Sequence, residues 1–327
     1  MDIAVIGLGL IGGSTLRALA AAGHRVLGYD ADPATRATAR TAAAKAPVSG
    51  RWQVTATVRD AVASAELVVV AVPLPAVEGV LIELGGAGYS GLVTDVTSVK
   101  GPVQDLVTHR LPRLAGFVGG HPMAGRERSG FDAADADLFT GCAWVLCLEP
   151  QTTQLADWLQ LAVLYTGMGA RVVPTTAAEH DQAVAAVSHV PHLLAAALAT
   201  AATDPLAAAL AAGSFRDGTR VAASRPQLTA AMCGGNAAAV APALDAVLDA
   251  LAQARAALDG KDPIAELSAW LTPGWTARTT WPPSPGTTLE LPARPDALLR
   301  LGRAGGWVTA VAGDRRTVTA VRPHEHL

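Results

Sequence analysis

The sequence predicts an α/β fold in three parts: a parallel sheet covered by helices, an all-α segment, and a short β-rich C-terminal tail. Three observations carry this. Short apolar runs alternate with helical stretches in the first half of the chain, the texture changes after Pro174 to long Ala/Leu segments, and small β-type runs return near the end. Strands that alternate with helices imply a parallel sheet, and strands that are apolar throughout rather than alternating imply burial on both faces.

The expected strands are residues 3–6, 26–29, 67–72, 92–95, 117–119, 143–148 and 171–174. Helices are expected over 176–202, 205–212, 226–233 and 236–258. In the last of these Val240, Leu244, Val247, Leu251, Ala254 and Leu258 recur at alternating spacings of four and three, and Gly260 follows as a stop. Such a seam needs a partner helix, either within the chain or in a second copy. The Pro-rich stretch 270–286 reads as a linker, and residues 307–309 and 317–321 as strands of a small appendage, short for an independent domain and able to pair its strands with another part of the molecule. The expected domains are therefore 1–174, 175–280 and 281–327.

Half of the 327 residues are hydrophobic and the formal net charge is −3. That composition is globular, and it provides no basic field for coating a nucleic acid; an anionic ligand must be met by a local arginine cluster. Cys142, Cys147 and Cys233 form no CxxC pair, so neither a disulfide framework nor a zinc site is expected. The chain opens directly on a strand pattern, which leaves no room for a leader. The Ala-rich runs are expected to be broken short of a membrane span. A cytoplasmic protein with no membrane and no nucleic-acid partner is the expectation.

Gly7-Leu8-Gly9-Leu10-Ile11-Gly12 follows the first strand and opens a helix, the context that raises a GxGxxG match above chance. The glycines allow a tight turn, a close approach of pyrophosphate to backbone, and close packing of helix on strand, while the helix N-terminus supplies N–H donors. A Rossmann-like dinucleotide-binding domain is predicted. Eighteen residues on, Asp30 ends the second strand, where a carboxylate binds both ribose hydroxyls and repels a 2′-phosphate, favouring NAD over NADP. Alternatively, Asp30 caps the turn with Asp32-Pro33. Arg36 belongs to the same region and is able to take a phosphate, or to lie on a solvated helix face. Val72 and Pro73 fall at the carboxyl edge of the sheet, as a cofactor wall or as a turn terminator.

Four further segments stand in order: Asp95-Val96-Thr97-Ser98-Val99-Lys100-Gly101, Gly120-His121-Pro122-Met123-Ala124-Gly125, Ser188-His189-Val190-Pro191-His192 and Asp217-Gly218-Thr219-Arg220-Val221-Ala222. A histidine that takes a proton near neutral pH is the usual partner of a hydroxyl whose carbon loses hydride, which points to a dehydrogenase. Together the segments resemble the prephenate/arogenate dehydrogenase family of tyrosine biosynthesis, in colinear order from about residue 3 to 236.

The resemblance implies NAD-dependent oxidative decarboxylation of prephenate to 4-hydroxyphenylpyruvate and carbon dioxide, by a homodimer formed through the helical domain. It implies that His121 accepts the proton of the ring hydroxyl and that Ser98, which read alone suggests a helix N-cap, sits between cofactor and ring. Arg220 matches the arginine that grips the ring carboxylate, a planar anion suited to a guanidinium fork. Arg216 stands where many members carry Lys and is assigned to substrate attraction. Ser188 and His192, four apart, share a helix face and match the segment that lines the pocket, while His189 points elsewhere. Glu127 matches an acidic residue that gates the pocket in relatives, or it forms an exposed pair with its flanking arginines. His180-Asp181 brace the site or compensate the helix dipole.

The sequence departs from some relatives at Thr229, where they carry a tryptophan. The short tail puts regulation by tyrosine in doubt. Arogenate and 4-amino-4-deoxyprephenate are alternative substrates, with Asp132 either facing an ammonium or belonging to an acidic surface. A non-catalytic NAD sensor is the alternative of a different class, against which the joint presence of Ser98, His121, His192 and Arg220 argues.

Overall fold

The computed structural model describes residues 1–126, 128–284 and 286–324. The chain divides into two compact units, Met1–Asp181 with Thr288–Arg322, and Gln182–Thr287 with Pro323–Leu327.

The first unit opens with β1 (Asp2–Ile6), α1 (Leu10–Ala21), β2 (Arg25–Tyr29), α2 (Pro33–Lys45), β3 (Gln53–Val54), α3 (Val58–Val62), β4 (Leu67–Val70), α4 (Leu74–Gly86), β5 (Leu92–Asp95), α5 (Gly101–Arg110) and β6 (Gly116–Val118). These strands pair in parallel in the order β3-β2-β1-β4-β5-β6. That is the doubly wound dinucleotide order, which reverses between β1 and β4 and opens a crevice at their carboxyl ends. Every residue of β4 and β5 is buried; β4 is apolar throughout, while β5 carries Thr94 and Asp95 into the interior. The strand expected over 67–72 ends at Val70, because Pro73 has no N–H for the ladder and instead caps α4. Two-residue β3 is too short to show a pattern.

Past Gly119 the chain leaves this sheet for another, beginning with β7 (Gly120–Pro122), β8 (Ala143–Cys147), α6 (Leu155–Gly167) and β9 (Arg171–Thr175). Trp144 and Tyr165 stack at 3.8 Å between ring centroids, and Trp158 donates its indole N–H to the Leu146 carbonyl at 3.2 Å. These buried aromatics anchor α6 on β8.

Helix α7 (Ala177–Val184) crosses into the second unit, continuing as a π-turn (Ala185–His189) into α8 (Val190–Ala199). Then follow α9 (Pro205–Leu210), α10 (Gly213–Thr219), a 3-10 turn (Arg220–Ala223), α11 (Pro226–Gly235), α12 (Ala237–Leu258) and α13 (Pro263–Thr279). The expected linker over 270–286 is thus corrected: it is helical to Thr279, with Pro273 inside α13. Asp262 caps that helix by accepting from Ala265 N at 3.1 Å, and Pro263 sits in the first turn, so the start signals outweigh one internal proline. The seam of α12 splits: Val240 is buried and Leu244 and Val247 pack beside it, whereas Leu251 and Leu258 are exposed. The expectation that the Ala-rich runs fall short of a membrane span is also corrected. Ala177–Thr203 and Ala237–Leu258 are long and apolar enough by length and composition, because Pro191 and Pro242 do not end their helices.

The tail forms β10 (Thr287–Pro292), α14 (Pro295–Arg303), β11 (Trp307–Val311) and β12 (Thr317–Arg322). It is not a separate appendage. β11 pairs antiparallel with β9, and the second sheet runs β10-β12-β11-β9-β8-β7. Alternating burial along β12 and the sealed Leu298, Leu299 and Leu301 of α14 give the tail a core face that only the first unit's sheet completes.

Candidate active site

At the crevice, Gly7 has φ +98° and donates its N–H to the Tyr29 carbonyl at 2.7 Å. A Cβ there would come within 2.4 Å of the Ala71 carbonyl oxygen, and one at residue 12 within 1.9 Å of the Gly7 oxygen. A Cβ at Gly9 would meet nothing within 4 Å among the described residues. Folding therefore demands Gly7 and Gly12, while the space over Gly9 is a cradle kept clear for something other than the chain. Gly9 also stands at the N-cap of α1, followed by Leu10 and Ile11, with no side-chain cap and no acid in the first turn. The helix dipole meets this space uncompensated.

Asp30 accepts the Leu8 N–H at 2.7 Å through one carboxylate oxygen and the Asp32 N–H at 2.9 Å through the other. It braces the glycine loop from the next strand, and the capping of α2 falls to Asp32, which accepts from Ala34 N and Thr35 N. Arg36 donates to the carbonyls of Asp30 at 2.6 Å and Ala31 at 3.0 Å and lies over the Tyr29 ring, so its guanidinium is tied to the backbone. Val72 is half-buried against Gly7, and Pro73 is exposed at the mouth of α4.

His121 stands on β7, and its backbone is clamped from β5. Asp95 and Lys100, both buried, form an ion pair; the Lys100 ammonium also donates to the Gly120 carbonyl at 2.6 Å and to Thr97 Oγ1 at 3.1 Å. The second Asp95 oxygen accepts the Gly120 N–H at 3.1 Å. Removing one member of such a buried pair typically costs about 3–5 kcal/mol, since a lone charge is left without water.

The His121 ring continues into a chain of hydrogen bonds. Its Nδ1 is 2.9 Å from His180 Nε2, and His180 Nδ1 is 2.8 Å from Asp181 Oδ1. Asp181 also accepts the Lys100 and Gly101 N–H groups, each at 2.8 Å, and so caps α5. Burial raises the Asp181 carboxyl pKa, but the hydrogen bonds from His180, Gly101 and Lys100 outweigh it and hold the pKa below the usual carboxylate value. Burial lowers the pKa of His180, more than its contact with Asp181 raises it. These charges dictate the protons. A carboxylate only accepts, so His180 carries its proton on Nδ1; its Nε2 then accepts from His121 Nδ1–H, and a neutral His121 is left with its lone pair on Nε2. Ser98 is half-buried in the same β5–α5 loop and is not the cap of α5, because Lys100 stands at that position and Asp181 supplies the carboxylate.

In the second unit, Ser188 lies in the π-turn and accepts from His192 Nδ1 through its carbonyl at 2.9 Å; both side chains are half-buried. His189 is fully buried, with the Asn236 amide 3.2 Å from its Nδ1. Arg220 opens the 3-10 turn that packs on α8, the helix bearing His192, and is exposed with no ion pair among the described residues. Arg216 is exposed and 3.7 Å from Asp217. Glu127 lies outside the described residues; its neighbour Arg126 pairs with Asp135 at 2.7 Å, and Asp132 is exposed. The structure thus gathers Gly7–Gly12, Asp30, Val72, Pro73, Ser98 and His121 in the first unit and Ser188, His192, Arg216 and Arg220 in the second. The positional reading missed Asp95 and Lys100, although a lysine bracketed by buried residues inside the Asp95–Gly101 motif is the signal that marks them.

Comparison with known proteins agrees with this geometry. The family model described as prephenate dehydrogenase, nucleotide-binding domain, matches residues 15–174, and that described as prephenate dehydrogenase, dimerization domain, matches 176–272. The chain is 34% identical to a cyclohexadienyl dehydrogenase of Zymomonas mobilis over 80% of its own length and 89% of that protein. It is 36% identical to a prephenate dehydrogenase of Bacillus subtilis over 69% of its length, and spans 62% of that longer relative. Among solved structures, a candidate prephenate dehydrogenase of Corynebacterium glutamicum superposes with TM-score 0.77 at 35% identity, covering 86% of this chain and 90% of that one. A prephenate dehydrogenase of A. aeolicus, in complex with hydroxyphenyl propionate and NAD+, gives 0.73 at 26%, covering 85% and 96%. With a Rossmann-like nucleotide-binding domain, a helical dimerisation domain and this run of relatives, the chain belongs to the prephenate dehydrogenase family.

Proposed function

We propose that this chain is an NAD-dependent prephenate dehydrogenase that converts prephenate to 4-hydroxyphenylpyruvate and carbon dioxide. The observation that carries the reading is the Asp181–His180–His121 chain, which leaves the His121 lone pair on Nε2. NAD fits the open cradle at Gly9 and the carboxylate of Asp30, and when bound it supplies the hydride acceptor.

In this reaction His121 Nε2 takes the proton of the ring hydroxyl as hydride leaves the carbon that bears it. The ring carboxylate departs as carbon dioxide, its bonding pair completes the aromatic ring and the carbonyl pair moves onto the ring oxygen, which takes the proton back from His121. Asp95 and Lys100 hold the backbone before His121, so the imidazole stays in place while its charge changes. Ser98 orients the hydroxyl. Arg220 grips the ring carboxylate, Arg216 adds attraction, Ser188 and His192 line the pocket, and Glu127 gates it. The assembly we infer is a homodimer through α12 and α13, supported by the exposure of Leu251 and Leu258 on the first and of Ile264, Leu271 and Trp275 on the second. Free thiols at Cys142, Cys147 and Cys233 support a cytoplasmic setting.

The test is NADH or NADPH formation at 340 nm with the purified chain, offering prephenate and arogenate separately, each with NAD and NADP. Turnover of prephenate with NAD is expected. A preference for arogenate keeps the His121 role and overturns the substrate, and inactivity with both overturns the prephenate reading in favour of 4-amino-4-deoxyprephenate or the non-catalytic sensor.

A further inference from the structure

The first unit holds a cavity of about 620 Å³ that none of these roles uses. It is bounded by α1 at Arg17 and Ala21, by the C-terminal end of α2, and by residues 134–136. Arg17 lies two turns along α1 from the glycine loop, roughly 10 Å from Leu10 at the rise of a helix.

Arg17 is built in. Its guanidinium lies 4.7 Å over the Phe131 ring and 5.5 Å from the Trp52 ring, and Trp52 is fixed by its indole N–H on the Ala39 carbonyl at 3.1 Å. Yet Arg17 has no ion pair among the described residues, and its Nε is buried without a hydrogen-bond partner. The acid in the cavity wall, Asp135, is already taken, by Arg126 at 2.7 Å and by the Asp137 N–H at 3.1 Å. Lys45, in the last turn of α2, lines the same space, also without an ion pair among the described residues. The remaining wall is apolar, chiefly Ala42, Ala46, Trp52 and Ala134. Asp135 lies close enough to feel the Arg17 charge, but its hydrogen bonds go to Arg126 and the Asp137 N–H. The unpartnered Arg17 Nε and the exposed Lys45, beside an apolar wall, therefore suit an anion with a flat apolar body, and the volume is that of a small-molecule site.

We propose that this cavity is a second small-molecule site, for an aromatic carboxylate whose anionic head lies on Arg17 and Lys45 and whose ring lies against Trp52 and the alanines. The site touches the loop after His121, because Asp135 N–H donates to Ser14 Oγ of α1 at 3.0 Å. An occupant therefore presses on both the nucleotide-loop helix and that loop. The proposal stands apart from the oxidation of prephenate and is tested without turnover.

Phenylacetate is titrated calorimetrically into the full chain and into Arg17→Met, Ala42→Trp and Arg220→Met, with unfolding curves confirming that each is folded. Saturable binding is expected that weakens about tenfold or more in Arg17→Met, vanishes in Ala42→Trp where the indole fills the cavity, and persists in Arg220→Met. If Arg17→Met does not fold, Lys45→Met replaces it, with binding again weakened. No binding to the parent chain, binding untouched by Arg17→Met (or its substitute) and Ala42→Trp, or a loss confined to Arg220→Met would overturn the proposal.

Discussion

The two units bury themselves very differently. In the first, Ile3, Val5, Leu16, Leu67, Trp144, Trp158, Leu161 and Tyr165 are all but sealed from water, within cores that span both sheets. In the second the hydrophobic cluster reduces, among the described residues, to Ala185, Val190 and Val240, with a few half-buried neighbours. Meanwhile Leu206, Leu210, Ile264, Leu271 and Trp275 stand 56–84% exposed. At roughly 25 cal/mol per Å² of apolar area removed from water, the first unit draws its stability from its own core, whereas the second leaves exposed the apolar faces that the proposed homodimer would cover.

The largest effect that sharpens this contrast is chemical. His121→Asn is expected to lower turnover by roughly 10²–10⁴ while leaving NAD affinity intact, as read by steady-state kinetics beside cofactor fluorescence titration. Near-normal turnover would remove the first unit's claim to the chemistry. Next come two disruptions of packing. Trp158→Ala is expected to cost about 3–5 kcal/mol, independent of protein concentration, in denaturant unfolding. Ile264→Asp combined with Leu271→Asp is expected to give a monomer by light scattering and to abolish a concentration-dependent melting transition. A parent chain that melts identically at all concentrations breaks the comparison.

A smaller and more selective pair lies in the glycine loop. Gly9→Ala is expected to leave the unfolding midpoint unchanged and to weaken NAD about tenfold, as expected where backbone must approach pyrophosphate. Gly12→Ala, which meets the Gly7 oxygen, is expected to destabilise the fold itself. Equal stability losses in both variants would deny that the space over Gly9 is kept for a ligand.

The gentlest effect is on pH. The pKa of His180 is depressed, chiefly by burial, so the unfolded chain binds a proton near 6.5 that the folded chain refuses. Stability is then full above that value and falls as pH drops below it toward the folded pKa. The depressed carboxyl of Asp181 adds a loss of the same sign below about 3.8. Unfolding midpoints between about pH 5 and 7.5 should slope for the parent chain and flatten in His180→Gln; parallel slopes would place the titration elsewhere.

Much of the first sheet was legible because β4 is buried on both faces and apolar throughout, and β5 is apolar or β-branched up to Asp95 at its carboxyl end. The glycine loop and the His121 segment were legible because local chemistry fixes them. What sequence spacing concealed was set by distant partners. Asp181 caps a helix that begins eighty residues earlier, so Ser98 appeared to be its cap. Ser188 and His192 were placed at ordinary helical spacing, whereas a π-turn carries the first of them. The tail resembled an appendage because its partner strand, β9, is far away in the chain. Arg17 gave no signal at all, since its interest lies in a buried Nε with no hydrogen-bond partner beside a cavity.

That return of the tail bears on the order of events during synthesis. β9 emerges from the ribosome long before β11, and the whole helical unit is made in between. Until the last strands appear, Val172 and its neighbours present an unpaired sheet edge, and this unit's sheet is closed by pairing of high sequence separation, a slow class of step. The nascent chain thus has its nucleotide sheet available early and His121 on a strand of the sheet that matures last, so under the proposed function a newly made molecule is expected to hold cofactor before it turns over substrate.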